Sequence, residues 1–246
     1  MTRSWIFLMF FLCGSSGALA QLPVNQQRSD IRVLLTPVQH TVLSTEIPGR
    51  ISALKLRAGD SFRKGEELVR LDCSLHQARR DKALAQADEA AKIKAVNTQL
   101  DRYGSVSTLE LDVAAARLAA AEAEISLMQS IVDKCRVLAP FNGKISARHA
   151  QPHQYVGEGQ ELLSIIDDTQ LEVELVIPSR WLSRIAVDQS FRVSIEETGK
   201  AYEASITRIG ASIDAVSQTI KVYALIVAPT AELRAGMSGT ANLEMP

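Results

Sequence analysis

One stretch of this chain occurs twice, and the repeat limits what the chain can fold into. The first copy runs from Pro48 through Gly49-Arg50-Ile51-Ser52-Ala53 and Gly59-Asp60 to Gly65-Glu66-Glu67-Leu68. The second runs from Asn142 through Gly143-Lys144-Ile145-Ser146-Ala147 and His153-Gln154 to Gly159-Gln160-Glu161-Leu162. Adding 94 to the residue number carries Gly49, Ile51, Ser52, Ala53, Gly65, Glu67 and Leu68 onto identical residues in one ungapped register. Each copy reads as short strands with glycine at the turns, where positive φ is needed. Two copies are too few for a solenoid. Two half-motifs that pair into one small β-sandwich fit better.

Gly-x-Ile, followed by Gly-Asp-x-Phe/Val-x-x-Gly-x-x-Leu, resembles each half of a biotinyl/lipoyl-type domain. In carrier domains of that type a tight hairpin bearing the modified lysine joins the halves. Here roughly 70 residues of helical sequence separate them. A lipoyl-like domain split by a helical hairpin and followed by a β-rich segment resembles the periplasmic adaptor subunits, or membrane fusion proteins, of bacterial efflux and secretion machines. The resemblance covers residues 31–246 and implies a mainly β fold with an inserted α-helical hairpin. A lipoyl-like sandwich is expected from 31–72 plus 136–168, a coiled-coil hairpin from 73–135 and a small β-barrel from 169–246.

Residues 1–20 carry Arg3, an apolar run from Trp5 to Cys13, and Ala18-Leu19-Ala20 before Gln21. This reads as a secretory signal peptide cleaved after Ala20. The apolar run is shorter than the roughly 20 residues a membrane span needs. A lipoprotein signal at Cys13 is the rival reading, and Phe11-Leu12 is a poor lead-in to it. Residues 21–30 are polar. Over the whole chain 27 basic residues face 28 acidic ones. That balance gives no basic face for a nucleic-acid partner.

From Leu75 to about Tyr103 the chain is rich in Ala, Lys, Gln, Glu and Asp and free of Pro and Gly, which predicts a helix. Gly104-Ser105 ends it. Ser107, with Glu110 three residues on, predicts a capping box for a second helix. Leu111, Ala114, Leu118, Ala121, Ile125, Met128, Val132 and Cys135 then alternate steps of three and four, a coiled-coil seam. On the first helix Ala83, Ala87, Ala90, Ile93 and Leu100 are the expected inner positions. Some 28 residues per helix make a rod of roughly 42 Å. One narrow apolar stripe per helix serves the partner helix and little else, so the rod is expected to project.

Cys73 stands just before the first helix and Cys135 at the end of the second. After signal removal they are the only cysteines, and export brings them into an oxidising compartment. The two ends meet at the base of an antiparallel hairpin, so a Cys73–Cys135 disulfide is expected.

In the C-terminal region 171–177, 191–195, 202–209 and 219–227 read as strands, and Arg180 to Ile185 as a short helix bearing Trp181. Leu233-Arg234-Ala235-Gly236-Met237 resembles the Leu-x-x-Gly-Met that closes the barrel in the adaptor family. The expected architecture is a short form without a membrane-proximal domain. His149 and His153 have a helical metal-ligand spacing, but Pro152 lies between them and they fall in a strand-turn context. Asp167-Asp168 and Glu196-Glu197 read as strand-end and turn charges. No phosphate loop, Gly-x-Ser-x-Gly elbow or Cys-x-x-Cys occurs. No enzyme, cofactor or metal site is expected.

The resemblance implies an oligomeric periplasmic scaffold. Its partners would be an inner-membrane transporter, of resistance-nodulation-division or ATP-binding-cassette type, and an outer-membrane channel. Family members that dock on such a channel carry at the hairpin tip an Arg, a Leu four later and a Ser seven beyond that. Leu100 and Ser107 match, Val96 stands in the Arg position, and Arg102 is a cation nearby. Leu100, Arg102 and Ser107 are therefore the expected tip contacts. The alternatives are a lipoyl or biotin carrier, whose lysine junction here reads Leu71-Asp72-Cys73-Ser74, and a stand-alone periplasmic interaction protein.

Overall fold

The computed structural model describes residues 31–227 and 232–243. The export segment of 1–20, Cys13 and the polar stretch 21–30 lie outside the described residues. The elements run β1 (Ile31–Pro37), β2 (His40–Ser44), β3 (Gly49–Ala53), β4 (Ser61–Phe62), β5 (Glu67–Leu71), α1 (Ser74–Asp101), α2 (Thr108–Asp133) and β6 (Arg136–Leu138). They continue with β7 (Gly143–Arg148), β8 (Tyr155–Val156), β9 (Glu161–Ile166), β10 (Leu171–Pro178) and a 3-10 turn (Ser179–Arg184). Last come β11 (Ser190–Ile195), β12 (Lys200–Asp214), β13 (Thr219–Ile226) and β14 (Ser238–Asn242).

The sequence repeat is a structural two-fold. Strands β3, β4 and β5 begin at 49, 61 and 67, and β7, β8 and β9 begin at 143, 155 and 161, each pair 94 apart. The halves exchange strands: β3 pairs with β8, and β4 pairs with β7. Hydrogen bonds repeat with the same shift. Ile51 N–H donates to the Gln154 carbonyl at 2.9 Å, and Ile145 N–H donates to the Asp60 carbonyl at 3.0 Å. Two four-stranded sheets result, ordered β2-β9-β7-β4 and β6-β5-β3-β8. Ile51, Leu68, Val69, Leu71, Ile145, Val156, Leu162, Leu163 and Ile165 are buried between them. Full burial of each such side chain is worth about 1.5–3 kcal/mol. His153 holds φ 68° where its mate, Gly59, holds φ 93°, so only the first copy places glycine in this left-handed turn.

β1-β10-β13-β12-β11-β14 close into a six-stranded antiparallel barrel. The alternation in β11, where Phe191, Val193 and Ile195 face in and the residues between face out, is that of a strand with one wet face. The Leu233–Met237 corner splices β14 onto β1. Gly236 N–H donates to the Leu35 carbonyl at 2.8 Å, and Leu35 N–H donates to the Met237 carbonyl at 2.9 Å. β1 itself requires a correction. Residues 31–37 were expected in the lipoyl-like half, but they pair with β10 and β14 and belong to the barrel. The barrel therefore contains a strand from each end of the described chain, and a two-residue link after Pro37 leads into the sandwich.

Between β5 and β6 the chain leaves the sandwich as α1 and α2. Each seam position expected on α2 is buried or half-buried. On α1 the buried positions are Ala83 and Ala87, and on α2 the buried position is Ala114. Ile93 and Leu100 were expected to face inward; they are 39 % and 40 % exposed. Nearer the tip it is Asn97 that is half-covered. Among the described residues no helix is long and apolar enough to cross a membrane.

Candidate partner-contact site at the hairpin

The tip is built by local hydrogen bonding. α1 ends at Asp101, and Gly104, at φ 63°, turns the chain where a side chain would be strained. Ser105 N–H donates to the Leu100 carbonyl at 3.1 Å. Ser107 then caps α2: its hydroxyl accepts the Glu110 N–H, and the Glu110 carboxylate accepts the Ser107 N–H at 2.8 Å. That backbone hydrogen bond, with one from the Ser107 hydroxyl, holds the Glu110 carboxyl below the usual carboxylate range. Replacing Ser107 by Ala is expected to cost the cap about 1 kcal/mol. Hydrogen exchange at the first amides of α2 should then run about fivefold faster, while the middle of α2 is unchanged.

The three tip residues expected from sequence occupy one turn but play different parts. Leu100 and Arg102 are exposed, and Arg102 has no ion-pair partner among the described residues. The Ser107 side chain is engaged in the cap. Tyr103 and Leu109, which sequence reasoning did not single out as contacts, are more exposed than Leu100. The usable signal was two large apolar residues flanking Gly104, in a turn with no core to bury them.

At the root Cys73 and Cys135 are joined by a disulfide, with Cα atoms 6.0 Å apart. Leu71 N–H donates to the Cys135 carbonyl at 2.8 Å, and Lys134 pairs with Glu46 at 3.0 Å. Glu67 bridges Arg70, at 2.7 Å, and Arg136. Burial pushes the Glu67 carboxyl up, but the two guanidiniums together hold it below the ordinary range. A cleft beside the bridge is lined by Ser52, Arg70, Asp72, Gln77 and Arg136. The far end of β2 meets this root through Glu46, and its near end follows barrel strand β1. Hairpin and barrel thus stand at opposite ends of the sandwich.

The histidines do not form a shared site. His149 Nε2 lies 2.7 Å from the Ser164 hydroxyl, and His153 sits in the left-handed turn. No group of three or more potential metal ligands occurs among the described residues.

No family model matches the chain. Curated relatives do. Nodulation protein NolF of Rhizobium meliloti is 26% identical over 235 residues, covering 88% of this chain and 64% of that protein. The toluene efflux pump periplasmic linker protein TtgG of Pseudomonas putida is 25% identical over 238 residues, covering 89% of this chain and 61% of that one. The membrane fusion protein Spr0693 of Streptococcus pneumoniae shares the fold, with a TM-score of 0.76 at 17% identity over 88% of this chain and 99% of that structure. The chain spans between half and two thirds of the length of the first curated relatives it matches. With a split sandwich, a projecting hairpin and a barrel in this order, the chain is a homologue of the membrane fusion, or periplasmic adaptor, proteins.

Proposed function

We propose that the chain is a non-catalytic adaptor subunit of the cell envelope, exported to the periplasm. In this reading it acts as an oligomer that bridges an inner-membrane transporter to an outer-membrane channel in efflux or secretion. One observation carries the reading. A 28-residue and a 26-residue helix leave the sandwich and pack on each other, and they end in a capped turn with Leu100, Tyr103 and Leu109 exposed. A two-helix rod with an apolar tip and no body around it is built to reach. Relatives named as parts of efflux pumps agree with that use. A lipoyl or biotin carrier is disfavoured because Asp72-Cys73-Ser74, where the carrier lysine would stand, holds no lysine and leads into α1 instead of a tight hairpin.

Site-specific photocrosslinking in whole cells tests the proposal. A photoreactive residue at Tyr103 is expected to capture an outer-membrane channel, identified by mass spectrometry. The same residue at Leu127, exposed partway along the rod, should capture far less of it. Leu100→Asp should reduce capture from Tyr103. If Tyr103 captures no outer-membrane protein at normal expression, the bridging role is wrong.

A further inference from the structure

The barrel end remote from the hairpin carries a surface that bridging at the tip does not use. β12 and β13 run on past the rim as a finger, with every residue from 211 to 218 exposed. Ile213 is half-exposed and Val216 is 97% exposed. Between 209 and 220 the only charged residue is Asp214. Its carboxylate is committed to the turn, accepting N–H from Val216 at 3.0 Å and Ser217 at 2.8 Å, and the Ser217 hydroxyl at 3.0 Å. The finger is therefore pre-shaped, with aliphatic groups outward.

Ser179 N–H donates to the Gln218 carbonyl at 2.9 Å, which fixes the 3-10 turn against the base of the finger. That turn exposes Arg180 and Arg184, and neither has an ion-pair partner among the described residues. Between them Trp181 packs half-buried against the barrel core. Asp188 and Glu203 are exposed acidic side chains near this rim. β1 starts at Ile31 and β14 ends at Asn242 at the same end. The chain ahead of Ile31 therefore joins the body here.

We propose that this end of the barrel seats on an anionic phospholipid bilayer. Ile213 and Val216 enter the boundary between headgroups and acyl chains, Arg180 and Arg184 meet lipid phosphates, and Trp181 lies at the interface. Unpaired guanidiniums around an indole, beside an uncharged aliphatic tip, suit that boundary. The cations give the preference for anionic lipid. Two cations and one finger bind weakly alone, and the effect multiplies where several chains are held together. The inference needs neither channel nor transporter, so its failure would leave the bridging role standing.

The test uses the exported chain from Gln21, in which Trp181 is the only indole. Vesicles of phosphatidylglycerol and phosphatidylethanolamine, with acyl chains brominated near the headgroup, should quench Trp181 emission; phosphatidylcholine vesicles brominated alike should quench it much less. Ile213→Asp with Val216→Asp should abolish the quenching. Arg180→Glu with Arg184→Glu should weaken apparent binding by about tenfold at low salt. All four residues are partly or fully exposed, and circular dichroism checks that the variants are folded. Absent quenching in the parent chain overturns the proposal. So does quenching equal in all three proteins, which would mean that neither the finger nor the two arginines hold the chain to lipid.

Discussion

Removal of the Cys73–Cys135 bridge is expected to lower the melting temperature of the protein by about 10 °C. The bond closes a loop with a sequence separation of 62, which contains the whole hairpin. On the chain-entropy account, opening a loop of that length costs about 4 kcal/mol by freeing the unfolded chain. For a chain of this size each kcal/mol moves the midpoint by about 2–4 °C. The folded root should survive, because the Leu71–Cys135 hydrogen bond and the Lys134–Glu46 pair do not depend on sulfur. Cys73→Ala with Cys135→Ala and the reduced parent protein should therefore melt at similar, lowered temperatures. Circular dichroism at 222 nm follows this directly, and thiol alkylation of the denatured, unreduced parent should label neither cysteine. Free thiols there, or a double variant that melts with the parent, would mean the bridge contributes nothing.

The bridge also shows why some of this molecule was legible in the sequence. Cys73 and Cys135 could be paired because the helices between them were marked by local signals. The Ser107–Glu110 cap lies within four residues, and the α2 seam has Leu, Ile and Met at regular steps. α1 was harder. Alanine covers several of its faces, so which alanines are inward is decided by how closely the two helices approach along the rod and not by hydrophobicity. Ile93 and Leu100, the larger apolar side chains, were assigned inward and proved exposed. β1 was misplaced because its partners, β10 and β14, lie more than a hundred residues away, and an alternating strand carries no mark of which sheet it joins. β12 runs to Asp214, five residues beyond the expected end at Ile209. Gly210, Ala211 and Ser212 have little strand propensity of their own. A Cβ on Gly210 would come within 2.8 Å of the Lys221 carbonyl oxygen, so the backbone approach that extends the strand depends on that glycine.

The repeat itself supplies the most discriminating stability test, since two glycines 94 residues apart hold the same place in its two halves. Gly143→Ala is expected to destabilise the protein by about 3 kcal/mol, the upper part of the range for forcing a methyl into a packed interior. A Cβ at Gly143 would lie 2.0 Å from the Ile166 carbonyl oxygen and 2.9 Å from its carbon. These are backbone atoms of β9, which pairs with β7 through Lys144 and Ile166, so they cannot move without disturbing the ladder. At Gly49 the same methyl meets Leu71 Cβ at 3.7 Å, an ordinary contact, and φ lies outside the left-handed range. Gly49→Ala should therefore be neutral or stabilising by up to about 1 kcal/mol, through reduced freedom of the unfolded chain. The asymmetry follows from what comes after each half. β9 continues as Ile166-Asp167 towards the barrel and crosses close over Gly143, while β5 turns away at Asp72 into α1. Urea unfolding of the two single variants, with matched m-values, measures the difference. Equal losses at both positions would show that the two-fold extends to the backbone spacing around these glycines, and that the close approach of β9 to Gly143 is absent in solution.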